Sequence, residues 1–243
     1  AARFARVSVF TPGGEPVDIG NPSDAVSDPS ARDTPRYSCF LDRSGGTEFL
    51  ERGTYVFVAS GGIRDGVDIQ TVDIGADTEI HFSLPRLIQT PGELTADLHV
   101  HTARSSDAFV SDTVRFRALA AASVDVAVIT EHNRVRDPKA ALELLEMTDA
   151  LDAVPGVEFR IGRSGSSIGH GNAFPLKGGV AAMKPGGKSP GQVYAAWRSR
   201  HEDNPIPGDD TPLLVQLNHP RGIQFRPDKK HRLDAHGLFE ELR

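Results

Sequence analysis

Candidate metal ligands recur along this 243-residue chain wherever a short apolar run gives way to polar residues, and that placement narrows what it can fold into. His99 and His101 close the run Ala96-Asp-Leu-His-Val-His-Thr102, and Asp107 follows in Ser105-Ser-Asp107. His132 follows the apolar stretch 124–130, Glu158 lies in Pro155-Gly-Val-Glu-Phe159, His170 in Gly169-His-Gly-Asn172, and His219 in Leu217-Asn-His-Pro-Arg221. The alternation before His99 predicts a β-strand, on which residues i and i+2 share a face, so His99 and His101 can grip one cation together. Core packing does not explain five histidines and two carboxylates at such positions, because a buried unpaired imidazole or carboxylate costs several kcal/mol or shifts its pKa. A metal centre does explain them, and imidazole favours Zn, Mn, Fe, Ni or Cu over Ca or Mg. Barrel-type α/β enzymes place their chemistry at strand ends in this way.

The pattern changes near residue 90. Residues 1–86 read as all-β, with strands expected at 3–10, 37–41, 54–60, 67–74 and 78–84 and turns such as Thr11-Pro-Gly-Gly14 and Gly61-Gly62 between them. Their spacing favours a small sandwich. The polar stretch 18–36 reads as a long loop. The stretch 85–93, with two prolines and a glycine, supplies a linker over 87–93. From residue 94 to 243 strands and helices alternate. Strands are expected at 95–100, 124–130, 153–159, 172–176 and 213–217, and helices at 113–122, 139–151 and 191–202. Asp137-Pro138 and Ser189-Pro190 are helix-start signals.

Composition excludes several classes. Residues 1–90 carry 8 Lys and Arg against 13 Asp and Glu, and the remainder 19 against 20, so neither part has the basic excess of a nucleic-acid binder. No stretch approaches the roughly eighteen apolar residues of a membrane span. The single Cys39 rules out an internal disulfide framework and a cysteine-based metal site. No serine-nucleophile motif competes, since Gly165-Ser-Ser167 lacks the G-x-S-x-G pattern.

Asp97-Leu-His-Val-His-Thr102, Ser106-Asp107, Thr130-Glu-His-Asn133, Gly156-Val-Glu158, His170 and Asn218-His-Pro220 resemble, in order, the metal-ligand motifs of the PHP (polymerase and histidinol phosphatase) superfamily. Thr-Glu-His-Asn, Gly-His-Gly-Asn and Asn-His-Pro-Arg together look most like its CehA/McbA branch. The resemblance covers about residues 92–225. It implies an α/β fold, a distorted (β/α)7 barrel preceded here by the β-sandwich-like domain, holding two or three divalent transition-metal ions (Zn, Mn or Fe). Carried over by position, His99, His101 and Glu158 hold the first metal, and Glu158, His170 and His219 the second, with Glu158 bridging. Asp107 and His132 hold the third, while Asp97 and Glu131 orient the histidines. Asn133 and Arg221 are candidates to meet the substrate. The superfamily pattern closes with an Asp-x-His pair on a last strand. Asp234-Ala-His236 matches the letters but lies too soon after His219 for a strand, a crossover and a second strand. The expectation is therefore an incomplete barrel in a shortened version of a longer protein.

The function expected is metal-dependent hydrolysis of a small-molecule phosphomonoester or phosphodiester by activated water, with Glu158, Asp107 and Arg221 as catalytic candidates. Hydrolysis of a carbamate or carboxylic ester is the alternative that the branch implies. A non-catalytic binding protein with a degenerate barrel is the second alternative. No nucleic-acid polymer is expected as partner. Branch members with such a β domain often act outside the cytoplasm, which implies a periplasmic or secreted location.

Overall fold

The structure, a computed structural model, describes residues 3–19, 37–163, 166–181, 183 and 189–218. Its first unit is one antiparallel sheet in the order β2-β1-β3-β4, formed by β1 (Ala5–Phe10), β2 (Ser38–Leu41), β3 (Gly53–Ser60) and β4 (Val67–Ile74). β1 lies between β2 and β3, pairing Val7 with Cys39 on one side and with Ala59 on the other. Alternation buries Val7, Val9, Cys39, Phe57 and Ala59 in a common core. The expected strand over 78–84 is not one. Ile80, Phe82 and Leu84 still pack on that core. The segment is fastened by side chains of β4 instead: the Ser83 N–H donates to the Asp68 carboxylate at 2.8 Å, and the Gln70 amide donates to the His81 carbonyl at 2.7 Å. Among the described residues this unit is one sheet, not the expected two-sheet sandwich.

The second half departs further from expectation. β5 (Ala96–Val100), β6 (Val126–Ile129) and β7 (Asp152–Pro155) form a parallel sheet in the order β5-β6-β7. α1 (Asp112–Ala121) connects the first two, and its Ser111 cap accepts the Val114 N–H. α2 (Lys139–Leu144) connects the next two, and the Asp137 carboxylate accepts the Lys139 N–H at 2.9 Å. α2 stops well short of residue 151 because Glu146 turns to φ 54°, though Met147 and Leu151 still reach the core with Phe116, Ile129 and Leu142.

Beyond Gly156 the layout changes to an antiparallel sheet, β10-β9-β8, built from β8 (Val157–Arg163), β9 (Ser166–Phe174) and β10 (Leu214–Asn218). Only Ser164 and Gly165 separate β8 from β9, too few for the dozen or more residues of a parallel crossover, so the pair has to be antiparallel. The expected (β/α)7 barrel is therefore overturned. The described residues form three sheets with only three helices, and no sheet closes on itself. α3 (Pro190–Asp203), opened by a reciprocal Ser189/Gln192 capping box, covers the antiparallel sheet with Val193 and Trp197, and Trp197 lies 5.5 Å from the Phe159 ring.

The first unit and the rest meet over more than the chain connection. α1 packs against β1 and β2. Arg64 holds the Asp125 carboxylate at 2.7 and 2.8 Å, and the same carboxylate accepts the Thr95 N–H. Gly62, at φ 96°, lies so close to the backbone of Ala122 that a Cβ would fall 2.1 Å from its carbonyl carbon. Only glycine fits both the conformation and the space.

Candidate metal centre

The site forms where the parallel and antiparallel sheets meet. β5 delivers His99 within the strand and His101 just past its end; the turn after β6 delivers His132. A parallel bridge pairs His132 with Glu158, and the Asn133 N–H donates to the Glu158 carbonyl at 2.9 Å, so the first residues of β8 extend the parallel ladder. On the antiparallel side the register puts Glu158 opposite Asn172 and His170 opposite Asn218. Residues paired in this way share a face, so two ladders bring four polar side chains to one spot.

Glu158 is the hub, and it is buried. Its Oε2 lies 2.9 Å from His101 Nε2, 3.2 Å from His99 Nε2 and 3.2 Å from His132 Nε2. Its Oε1 faces the other way, 3.0 Å from His170 Nδ1 and 3.1 Å from the Asn218 amide nitrogen. Asp107, half exposed, closes the open side with Oδ2 at 2.9 Å from His132 Nε2. His101, Asp107, His132 and Glu158 each offer one ligand atom within 4.8 Å of one another, so this group can hold a metal ion.

The donor set fits a cation better than it fits hydrogen bonding alone. His99 Nε2 and His101 Nε2 lie 2.9 Å apart while both face Glu158 Oε2. Protonating both would set two N–H groups against each other; two lone pairs aimed at one cation remove the conflict. Ligands about 2.0–2.1 Å from a transition metal are spaced about 2.9 Å apart at right angles and about 3.4 Å apart at tetrahedral angles. The contacts of 2.9–3.2 Å fall in that range.

Ser105 fixes the tautomer. Its hydroxyl donates to Asp107 Oδ1 at 2.7 Å and accepts the His132 N–H at 3.1 Å, so His101 Nδ1, 3.0 Å away, is the donor to Ser105. That leaves His101 Nε2 as the ligand atom. A buried amide chain steadies Glu158: Asn218 donates both to Glu158 and, at 2.6 Å, to the Asn172 carbonyl oxygen, and Asn172 donates to the Leu98 carbonyl at 2.9 Å.

Burial raises the cost of charge on Glu158, yet hydrogen bonds from His101, His170, His99 and Asn218 outweigh it and hold the carboxyl far below the usual range. Burial likewise works against a charged His101, but Glu158, with Asp107 and Glu131 behind it, holds its pKa above the ordinary value. His132 moves the other way, its burial prevailing over Glu158 and Asp107. Asp107 is partly buried, and Ser105, His132 and His101 bring its pKa below normal.

The structure thus brings together His99, His101, Asp107, His132, Glu158 and His170. His219, Arg221, Asp234 and His236 lie outside the described residues. Asp97 accepts the backbone N–H of His99, not its ring, at 3.1 Å. Glu131 is buried and accepts both the hydroxyl (2.6 Å) and the N–H (3.3 Å) of Thr102, anchoring the turn after His101; burial pushes its pKa up despite Thr102. Asn133 is exposed at φ 53°. Sequence reasoning assigned no role to Ser105, Asn172, Asn218 or Arg115. The two asparagines carried a signal, since each sits two residues or one from a candidate histidine at a strand position. Arg115 carried none, because its place in α1 reveals nothing of the neighbouring strand end.

Beside the cluster opens a cavity of about 260 Å³ lined by Asp97, His99, His101, Asp107, Arg115 and Leu119, among others. No helix among the described residues is long and apolar enough to cross a membrane. No protein-family model matches the chain, and no curated protein matches it.

Proposed function

We propose that this protein is a metal-dependent hydrolase acting on small-molecule phosphoesters. The observation that carries the reading is the convergence of three imidazole Nε2 atoms and two carboxylates beside an open cavity. A divalent Zn, Mn or Fe ion bound there would act as a Lewis acid and lower the pKa of a water at the site to around 7. His99, His101, His132 and Glu158 Oε2 would hold one ion. Glu158 Oε1 and His170 Nδ1, 3.0 Å apart, would hold a second ion if one binds. Asp107, held as a carboxylate at the solvent side of the cluster, would accept the proton of the attacking water as that water's oxygen bonds to phosphorus and the ester P–O bond breaks. The resemblance of the motif order to the PHP superfamily supports the same reading, although the described strands do not build that superfamily's barrel.

The full chain, reloaded with Zn, Mn or Fe, should hydrolyse p-nitrophenyl phosphate or its bis-ester, lose that activity to a chelator and regain it with metal. Turnover of naphthyl acetate or a naphthyl carbamate with both phosphoesters inert would move the assignment to carbonyl substrates. Inertness toward all of them with metal bound would overturn the hydrolase reading.

A further inference from the structure

The cavity beside the cluster is rich in negative charge. Asp97 and Asp107 line it, and Glu158 lies behind the histidines. A divalent ion at the cluster would offset part of that charge, and a phosphorylated molecule, with one or two negative charges of its own, gains further from positive charge on the cavity wall away from the ion. Among the described residues lining the cavity, Arg115 carries the one permanent positive charge.

Its setting is specific. Arg115 projects from the first turns of α1, half-buried, and its Nε donates to the His101 carbonyl oxygen at 2.9 Å. That bond ties the guanidinium to the residue that also presents a ligand nitrogen. No carboxylate among the described residues pairs with Arg115, whereas its helix neighbour Arg117 lies 3.6 Å from Asp42, and Arg136 makes a two-point pair with Asp112 at 2.7 and 2.9 Å. A guanidinium held through its Nε, with terminal nitrogens that have no hydrogen-bond or ion-pair partner among the described residues, is pre-organised beside a cavity to grip two oxygens of a tetrahedral anion.

We propose that Arg115 is the anion receptor of this site: its terminal nitrogens bind the non-reacting oxygens of a phosphorylated substrate while the clustered histidines face the reacting centre. The proposal rests on the metallohydrolase reading and gives that site a residue, outside the ligand set, that recognises the phosphate.

The test titrates inorganic phosphate into the metal-loaded full chain by calorimetry, with metal content and melting temperature measured on the same samples. Wild type should bind phosphate. Arg115→Gln should bind it about tenfold or more weakly at unchanged metal content, and Arg115→Lys, which keeps the charge but loses the fork, should fall between. Phosphate binding by Arg115→Gln equal to wild type, or no binding by metal-loaded wild type, overturns the proposal and leaves the metal centre standing. Loss of metal in step with loss of phosphate binding also overturns it, because Arg115 would then act only by holding the His101 carbonyl. If Arg115→Gln fails to fold, Arg115→Lys decides alone, and full phosphate affinity in it counts against the proposal. A wild-type chain that takes up no metal overturns the hydrolase reading instead. Arg115 is then judged on the metal-free chain by the same pair of titrations, equal or absent binding overturning it.

Discussion

The parallel and antiparallel sheets that meet at Glu158 supply the site in different ways. From the parallel side His99 lies within β5, and the other candidate ligands come beyond strand ends: His101 just after β5, His132 after β6, Asp107 in the turns between β5 and α1. Local hydrogen bonds hold them, chiefly those of Ser105 and the Thr102–Glu131 pair. From the antiparallel side Glu158, His170, Asn172 and Asn218 come from within strands, at positions fixed by ladder register. Moving one of these four requires breaking strand pairing, whereas moving Asp107 requires only a turn to shift. One half of the centre is set by the sheet and the other completes it, so damage to the two halves should have different signatures.

The largest effect is expected from Glu158→Gln. The amide removes the charge that faces three histidines on one side and His170 on the other. Metal affinity should fall by more than the 10- to about 100-fold that loss of an outer partner costs, and hydrolysis should fall to background. Metal titration and p-nitrophenyl phosphate turnover check both. Retained metal in this variant would mean that the histidines suffice without the hub.

Next comes the amide chain. Asn218→Ala takes away a donor to Glu158 Oε1 and leaves the Asn172 carbonyl oxygen short of a partner. Metal affinity should drop about 10- to 100-fold, and the protein should lose about 1–3 kcal/mol of stability, read from denaturant unfolding. Asp107→Asn should behave in the opposite way. Its side chain is half exposed in a turn, so stability should be unchanged and metal affinity reduced less than tenfold, while kcat falls about 100-fold with the proton acceptor gone. Equal losses of stability in the two variants would erase the distinction between the halves.

The pH dependence gives a smaller effect with a definite sign. His101 is held protonated above the ordinary histidine value of about 6.5 by Glu158, so a metal must displace that proton. Affinity should rise with pH until His101's raised pKa is passed, changing up to about tenfold per unit below it. His132, whose pKa is lowered by burial, sheds its proton at lower pH than His101 does. In metal-free protein the His101 pairing works in reverse. Its contribution to stability is full below about pH 6.5 and disappears as pH rises through the raised value. Calorimetry in buffers of different ionisation heat should show proton release on metal binding near neutrality; binding with no proton release there would contradict a raised His101 pKa.

The sequence pointed to the histidines and carboxylates that cluster better than it pointed to the sheets that carry them. His99, His101 and His132 were legible because alternation and apolar runs mark strand ends locally. The antiparallel pairing was hidden because strands were expected only at 153–159 and 172–176, which leaves twelve residues between them and room for a parallel crossover. Only the structure, which carries β8 on to Arg163 and starts β9 at Ser166, reduces that gap to two residues, where no crossover fits. The segment 78–84 has the alternation of a strand yet is fastened by Asp68 and Gln70, a contact between side chain and backbone that periodicity cannot report. Ser105 and Arg115 became visible only in space, because neither their spacing nor their type marks them in the chain.

The central claim is that the clustered nitrogens and carboxylates form a metal centre. Elemental analysis of the full chain, purified without chelator and then dialysed against metal-free buffer, tests it most directly. The account predicts at least one Zn, Mn or Fe per chain, lost in Glu158→Gln. Metal-free wild type that stays empty after reloading with each of the three ions in turn, while remaining folded, would contradict it.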